Sequence, residues 1–268
     1  MPSSLPCALA VGGLDPGGGA GIAADLRAFA AAGTFGCAAI AVLTVQSTAG
    51  LRRAYPVAAH KVTAQAEEVM GHQRVRAVKV GALGSRENVR AVVRLMARYP
   101  DIPFVVDTPM RPTRGNGHLL PKEAAAALRD DLLPRATIVT LNVPEVRALL
   151  GACLRSLDDA RLAAQRLAQE GPRVVLVKAG HMTGPDATDV AVVDGLTVEL
   201  RARRLRISPT HGSGCTLASL IAGRLAHSTS ARPHGETILA ALRWAKRVHH
   251  AALARTVRVG EGLRVLIF

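Results

Sequence analysis

Short runs of apolar and β-branched residues alternate along the chain with segments of helical periodicity. Ala8–Val11, Cys37–Val45, Ala77–Val80, Phe104–Asp107, Thr137–Leu141 and Val174–Lys178 read as strands. Between them, Ala20–Ala32, Ala59–Met70, Arg86–Arg98, Lys122–Leu133, Glu145–Leu150 and Leu157–Gln169 read as helices, and in the first of these Ile22, Leu26 and Phe29 share one face. Strands that are apolar on both faces, each followed by a helix, predict a parallel sheet covered by helices on both sides. Asp189–Val193 and Thr197–Ile207 flank Asp194-Gly195, a hairpin signal, and two more helices, Gly214–His227 and Glu236–Arg255, follow. No linker, low-complexity tract or repeat interrupts the pattern, so residues 1–268 are expected to form one α/β domain. In such a sheet, ligands bind beyond the carboxyl ends of the strands. The residues there are Gly12–Gly19, Gln46–Gly50, Gly81, Asp107–Gly117, Asn142 and Lys178–His181.

Composition narrows the class. Of the 268 residues 49% are hydrophobic, enough for a sizeable core and too many for disorder. The longest apolar run, Cys37–Leu43, falls well short of the roughly 18 residues of a membrane span. Met1–Cys7 lacks the basic start of a signal peptide. Cys7, Cys37, Cys153 and Cys215 are far apart with no CxxC pair, which argues against a disulfide framework or zinc knuckle and for the reducing cytoplasm. The net charge of +14 puts nucleic acid on the list of partners. Yet the arginines are spread along the chain, densest at Arg201–Arg206, and aromatics for stacking bases are only 3% of residues. Solvated helix faces and a basic site for a small anion such as ATP are the expected uses, with no nucleic-acid partner.

Several motifs fail on inspection. Gly19-Ala-Gly-Ile-Ala-Ala24 mimics a dinucleotide fingerprint, but after Asp25 the next acid is Glu67, too far on to hold a ribose. No Walker A string and no G-x-S-x-G elbow occur. His249 and His250 are adjacent on a helix, point to different faces and read as surface histidines.

The strongest local signal is Thr210-His-Gly-Ser-Gly-Cys-Thr216, followed by the apolar stretch Leu217–Leu225. Small residues just before a helix leave backbone N–H groups free at an end that carries partial positive charge, an anion hole. A capped helix start with a buried cysteine explains the segment equally well. In the first turn, the Cys215 thiol is expected below its free value of ~8.5 and able to accept a proton from a substrate hydroxyl. Glu145, in Asn142-Val-Pro-Glu145, is a Mg²⁺ candidate or simply a helix-start acid. Lys178 is a phosphate partner or a strand-end lysine, and Asp107 a metal-site acid or a turn former.

Taken in order, these segments resemble the hydroxymethylpyrimidine and phosphomethylpyrimidine kinases of thiamine biosynthesis, within the ribokinase-like superfamily. The likeness runs through Gly13-Leu-Asp15-Pro-Gly-Gly-Gly-Ala-Gly21 with Ala24-Asp25-Leu26, Thr44–Gln46, Lys79–Leu83, Val106–Met110, Asn142–Glu145, Lys178–His181 and Thr210–Thr216. It implies a three-layer α/β/α sandwich with a mostly parallel sheet, ATP as phosphoryl donor, Mg²⁺, and a homodimer. It implies that Gly13, Asp25 and Gln46 contact the pyrimidine alcohol, with Ala82 and Pro109 lining its pocket. Glu145 and Asp107 would serve Mg²⁺–ATP, and Asn142, Lys178 and Thr210 the nucleotide. Gly212, Ser213, Gly214 and Cys215 would form the anion hole, with Cys215 as base. The chain departs from the family at Ala82, often Met, at Lys178-Ala-Gly in place of K-G-G, and in the tail Val259–Arg264. The implied reaction is phosphorylation of hydroxymethylpyrimidine, with its monophosphate as a further acceptor. Pyridoxal kinase and a non-catalytic basic regulatory protein on the same scaffold are the alternatives.

Overall fold

The structure, a computed structural model, describes residues 5–115, 117–180, 182, 184–230 and 232–268. The first expected strand lengthens to β1 (Cys7–Leu14), because Gly12, Gly13 and Leu14 go on pairing with the neighbouring strand across a register shift. After α1 (Gly21–Ala31) and β2 (Phe35–Ser47) comes β3 (Gly50–Pro56), which periodicity does not reveal. Its Arg52 and Arg53 are exposed, as suits an edge strand guarded by charge. In the following α2 (Ala59–His72), β4 (Val75–Val80) and α3 (Arg86–Arg98), the third element matches its expected bounds. There Ser85 accepts the Asn88 N–H as a cap, and Val89, Val92, Leu95 and Met96 are buried along one stripe.

After β5 (Phe104–Val106), α4 (Lys122–Ala127) is shorter than expected. Pro134 offers no N–H to the helical ladder, and the chain passes through a π turn at Leu128–Leu132 and a 3₁₀ turn at Leu133–Arg135. Next come β6 (Ile138–Asn142), α5 (Val143–Leu150), α6 (Leu157–Ala168) and β7 (Val174–Lys178). The expected hairpin forms as β8 (Asp186–Val193) and β9 (Leu196–Arg203). It stops short of Ile207 because Arg204 turns away to donate to the carbonyls of Gly180, Met182, Gly184 and Asp186. The chain then runs through β10 (Thr210–His211), α7 (Ser213–Leu225), α8 (Gly235–Ala254) and β11 (Arg264–Val265).

Among the described residues nine strands form one sheet in the order β3-β2-β1-β4-β5-β6-β7-β8-β9. β2, β1, β4, β5, β6 and β7 run parallel; β3 at one edge and β8 run antiparallel to them, and β9, antiparallel to β8 at the other edge, returns to the direction of the parallel set. Alternate side chains of the sheet feed two cores. Ala8, Ala10 and Val105 pack with α1, α7 and α8, while Leu9, Val11 and Val106 pack with α2, α3, α4 and α6. This is the expected three-layer α/β/α sandwich. Among the described residues no helix is long and apolar enough to cross a membrane.

Two details shape the carboxyl end. β2 carries an extra residue where Gly12 pairs with Ile40 but Gly13 with Val42. A bulge of this kind flips the alternation beyond it. Leu43 and Val45 therefore face solvent, while Thr44 turns in to donate to the Leu14 carbonyl at 2.8 Å and Gln46 turns in toward His211. The tail is also docked. β11 pairs with β10, and Leu263 N–H donates to Thr48 at 2.9 Å, so the chain end ties the β2–β3 turn to the start of α7.

Candidate active site

The loop before α7 is built around Gly212. Its φ of 76° lies in the left-handed region, and a Cβ there would collide with the Gly19 carbonyl, so only glycine fits. Among the described residues no side chain caps α7, in contrast to α5 and α6, where Asn142–Glu145 and Ser156–Asp159 form capping boxes. The first N–H groups of α7 thus lack a side-chain acceptor, the condition for an anion site. A Cβ on Gly214 would lie 3.2 Å from Lys178 Nζ and 3.8 Å from Asp107 Oδ2, so the ends of β5 and β7 meet this loop.

Asp107 is buried, hydrogen-bonded by Thr140 Oγ1 at 2.6 Å and paired with Lys178. Burial pushes its carboxyl up, but Lys178 and Lys79 outweigh that and hold it below the usual range. Burial acts against the charge on Lys178, yet Asp107 and Glu145 raise it to about 12. Glu145 closes its capping box with Asn142 through two 2.8 Å bonds, and burial leads its rise to about 7. The helix-start reading of Glu145 is therefore realised, within reach of the Lys178 and Asp107 charges. Thr210 is half-buried on β10. His181 lies outside the described residues.

The glycine-rich loop closes the other side. Asp15 accepts the N–H groups of Gly17 and Ala20 at 2.8 and 2.9 Å and bonds His211 Nε2 at 2.7 Å. Burial alone would raise its carboxyl, but His211 and the two amides hold it low. Gln46 Nε2 lies 3.4 Å from the same His211 nitrogen. A Cβ on Gly13 would touch Ala82 at 3.5 Å and Val42 at 3.6 Å, so Gly13 and Ala82 lie side by side. Ala82 packs with Leu51 and Leu119, and Pro109 sits half-buried in the loop leading to Leu119.

Three expectations need correction. Asp25 does not line an open pocket: it is 0% exposed, holds Lys79 Nζ at 2.9 and 3.0 Å and accepts Ser219 Oγ at 2.7 Å. Burial raises its carboxyl against the opposing pull of Lys79. The Cys215 thiol is not lowered. Burial at the sheet end pushes it up to about 11, Lys79 and the Gly21 N–H pulling down and Asp107 and Asp25 pushing up. Finally, His249 is buried against Ser213, whereas the half-buried His250 donates its Nε2–H to the Arg203 carbonyl at 2.7 Å.

The sequence signals for the missed residues were present but quiet. Lys79 is a charge set among the apolar residues Ala77, Val78 and Val80 of its strand, and Asp25 lies on the Ile22–Phe29 face of its helix, two buried charges that call for each other. His249 continues the buried stripe Ile238, Leu242, Ala245 on α8.

Known proteins supply the context for this arrangement. Residues 15–266 match the family described as phosphomethylpyrimidine kinase. The hydroxymethylpyrimidine/phosphomethylpyrimidine kinase of Rhizobium meliloti is 38% identical over 95% of this chain and 94% of its own length. The crystal structure of phosphomethylpyrimidine kinase from Clostridium difficile 630 superposes with a TM-score of 0.77 at 31% identity, covering 92% of this chain and 98% of the other. The pyridoxal kinase of Staphylococcus aureus, in complex with AMP-PCP and pyridoxal, gives a TM-score of 0.86 at 25% identity over 98% of this chain and 93% of the other. With the ribokinase-like architecture, the uncapped glycine loop and the Lys178–Asp107 pair in place, the chain belongs to the phosphomethylpyrimidine kinase family and is a phosphotransferase.

Proposed function

We propose that the protein transfers the γ-phosphoryl group of ATP to the hydroxymethyl oxygen of 4-amino-5-hydroxymethyl-2-methylpyrimidine in thiamine biosynthesis, with the monophosphate of that alcohol as a second acceptor. The observation that carries this reading is the meeting of the uncapped α7 N-terminus with Lys178 and Asp107 beside Cys215. The Gly212–Cys215 amides hold the phosphoryl group, where preorganised donors act most strongly. Lys178 offsets the charge of the nucleotide phosphates, with Thr210 and the NH₂ of Asn142 on the same side. The hydroxyl oxygen attacks phosphorus, ADP leaves, and the hydroxyl proton passes to Cys215 Sγ in its thiolate form. Lys79 favours that form, and neutralising Asp107 removes one of the two carboxylate charges that oppose it.

Asp107 and Glu145 suit a Mg²⁺ ion that keeps much of its water, since such an ion takes one or two carboxylates plus phosphate oxygens. Asp107 Oδ2 faces Gly214, on the phosphate side. Among the described residues no group of three or more His, Cys, Asp or Glu side chains offers a tighter cage. When bound, the ion would neutralise phosphate charge. Arg111 and Arg114, exposed in the loop after β5, are the charges available to the monophosphate.

Gln46 is the proposed selector. A carboxylate only accepts, so with Asp15 ionised the His211 Nε2 carries a hydrogen toward it and offers nothing to the Gln46 NH₂. The amide is left to read the ring nitrogen and amine of an aminopyrimidine. Pyridoxal lacks that edge, and leaving the amide unpaired costs ~1–3 kcal/mol. The small Ala82 beside Gly13 favours the second reading, a pyridoxal kinase, by widening the wall. Comparing kcat/KM for both alcohols in wild type and Gln46→Met decides between them. We expect a roughly ten- to a hundredfold pyrimidine preference that the variant loses. A wild-type preference for pyridoxal overturns the reading, and equal discrimination by both proteins removes Gln46 from it.

We further read the 268 residues as a single domain acting in the cytoplasm as a homodimer. Free cysteines support the compartment, and Leu43, Val45 and Tyr55, exposed together on one face of the β2–β3 hairpin, support the dimer.

A further inference from the structure

α8 packs its buried face against the N-terminal turn of α7, and His249 is the polar member of that contact. Its Nε2 lies 3.0 Å from both the carbonyl oxygen and Oγ of Ser213. A carbonyl oxygen can only accept, so Nε2 carries the ring hydrogen and Nδ1 is bare. Burial, followed by the nearby Lys246, drives the ring pKa down to about 3, so the imidazole stays neutral. Ser213 Oγ shares the same N–H as an acceptor, and its own hydrogen must point elsewhere. It sits in the loop whose next residue, Gly214, adjoins Lys178 and Asp107.

The helix that carries His249 is itself fixed. Lys246 Nζ donates to Asp189 Oδ2 at 2.7 Å, both groups being buried, and Asp189 also accepts the N–H of Ala179. One side of α8 therefore holds both the strand end bearing Lys178 and the loop bearing Ser213. Packing alone would not call for a nitrogen here, since an apolar ring of similar size would fill the space.

We propose that His249 is a positioning residue for the nucleotide: through its Nε2–H it orients Ser213 so that the serine hydroxyl donates to the phosphates of ATP. This rests on the reading of Gly212–Cys215 as the anion hole. His249→Phe keeps the volume and removes the donor, while His249→Gln returns an N–H at a similar reach. Steady-state kinetics of both, with Tm as the folding control, should show KM for ATP raised about ten- to a hundredfold in the first, the size of one hydrogen bond to a charged ligand. KM for the pyrimidine alcohol should stay within about twofold, and His249→Gln should recover ATP binding to within about twofold. In a Ser213→Ala background, adding His249→Phe should matter by less than about twofold, because the coupled partner is gone. The ¹⁵N spectrum of the wild-type ring should show a neutral Nε2–H tautomer, a readout that needs no variant to fold.

An unchanged KM for ATP in His249→Phe, a His249→Gln no better than His249→Phe, multiplying losses in the double variant, or an Nδ1–H tautomer would each overturn the proposal. If Ser213→Ala alone leaves KM for ATP unchanged, the role of Ser213 in the anion hole fails and this inference with it. If Ser213→Ala weakens ATP but His249→Phe does not, only the positioning role falls.

Discussion

Lys79 on β4 and Lys178 on β7 each hold an aspartate near the start of α7, yet only one pair opens toward the loop where phosphates are proposed to bind. The side chains of Lys79 and Asp25 are both 0% exposed and bond to each other, with Ser219 Oγ donating to Asp25. Those of Lys178 and Asp107 are 14% and 6% exposed and adjoin Gly214 in the uncapped loop. The same charges thus serve two ends. The sealed pair specifies how α1, β4 and α7 meet, and the open pair keeps charge available for a ligand. Sealing also explains Cys215, which lies between the two pairs and feels the burial more than the helix end.

The comparison is broken most forcefully at the sealed pair. Lys79→Met should cost about 3–5 kcal/mol in urea unfolding by leaving Asp25 charged and buried, and adding Asp25→Leu should recover most of it. A loss under about 1 kcal/mol would mean that water reaches the pair and that the two sites do not differ. At the open pair the expectation reverses. Lys178→Met should lower kcat/KM for ATP by ~10²–10³ while destabilising less than Lys79→Met. A variant that unfolds as readily as Lys79→Met, with its remaining activity intact, would make Lys178 structural too.

Cys215 sharpens the contrast. With its thiol pushed up to about 11, the thiolate is scarce at neutral pH. Alkylation, followed by mass spectrometry, should be ~10²-fold slower at pH 7.5 than for a free thiol of pKa ~8.5, and should climb steadily toward pH 11. A rate that levels off below pH 8 would restore the lowered thiol that a helix N-terminus suggests.

How much of this could be read in advance depended on whether neighbours in sequence decide the matter. α3 was legible because Ser85 and the stripe Val89, Val92, Leu95, Met96 are local signals. The parallel order of the central strands followed from their two-sided burial. β3 was hidden because an edge strand bearing Arg52 and Arg53 has only one face to bury. α4 was overextended because the apolar helical pattern runs on to Leu133, and periodicity does not tell an α-helix from the π and 3₁₀ turns that the chain takes after Ala127. In the site, the loop Gly212–Cys215 and Lys178 were legible as motifs, but the state of each charged group was not. Whether Asp25 meets a ligand or Lys79, whether Cys215 is lowered or raised, and what His249 touches are set by residues 54 to 194 positions away, or by a neighbouring helix. The inward turn of Gln46 depends in the same way on one extra residue in β2.

The most direct test of the kinase assignment is ADP release with the purified chain, ATP, Mg²⁺ and the hydroxymethylpyrimidine, coupled to NADH oxidation. The account predicts ADP formation that rises and saturates with the pyrimidine and stops when a chelator removes the metal. ADP release at the same rate with and without the pyrimidine, or none in the presence of all components, would contradict it.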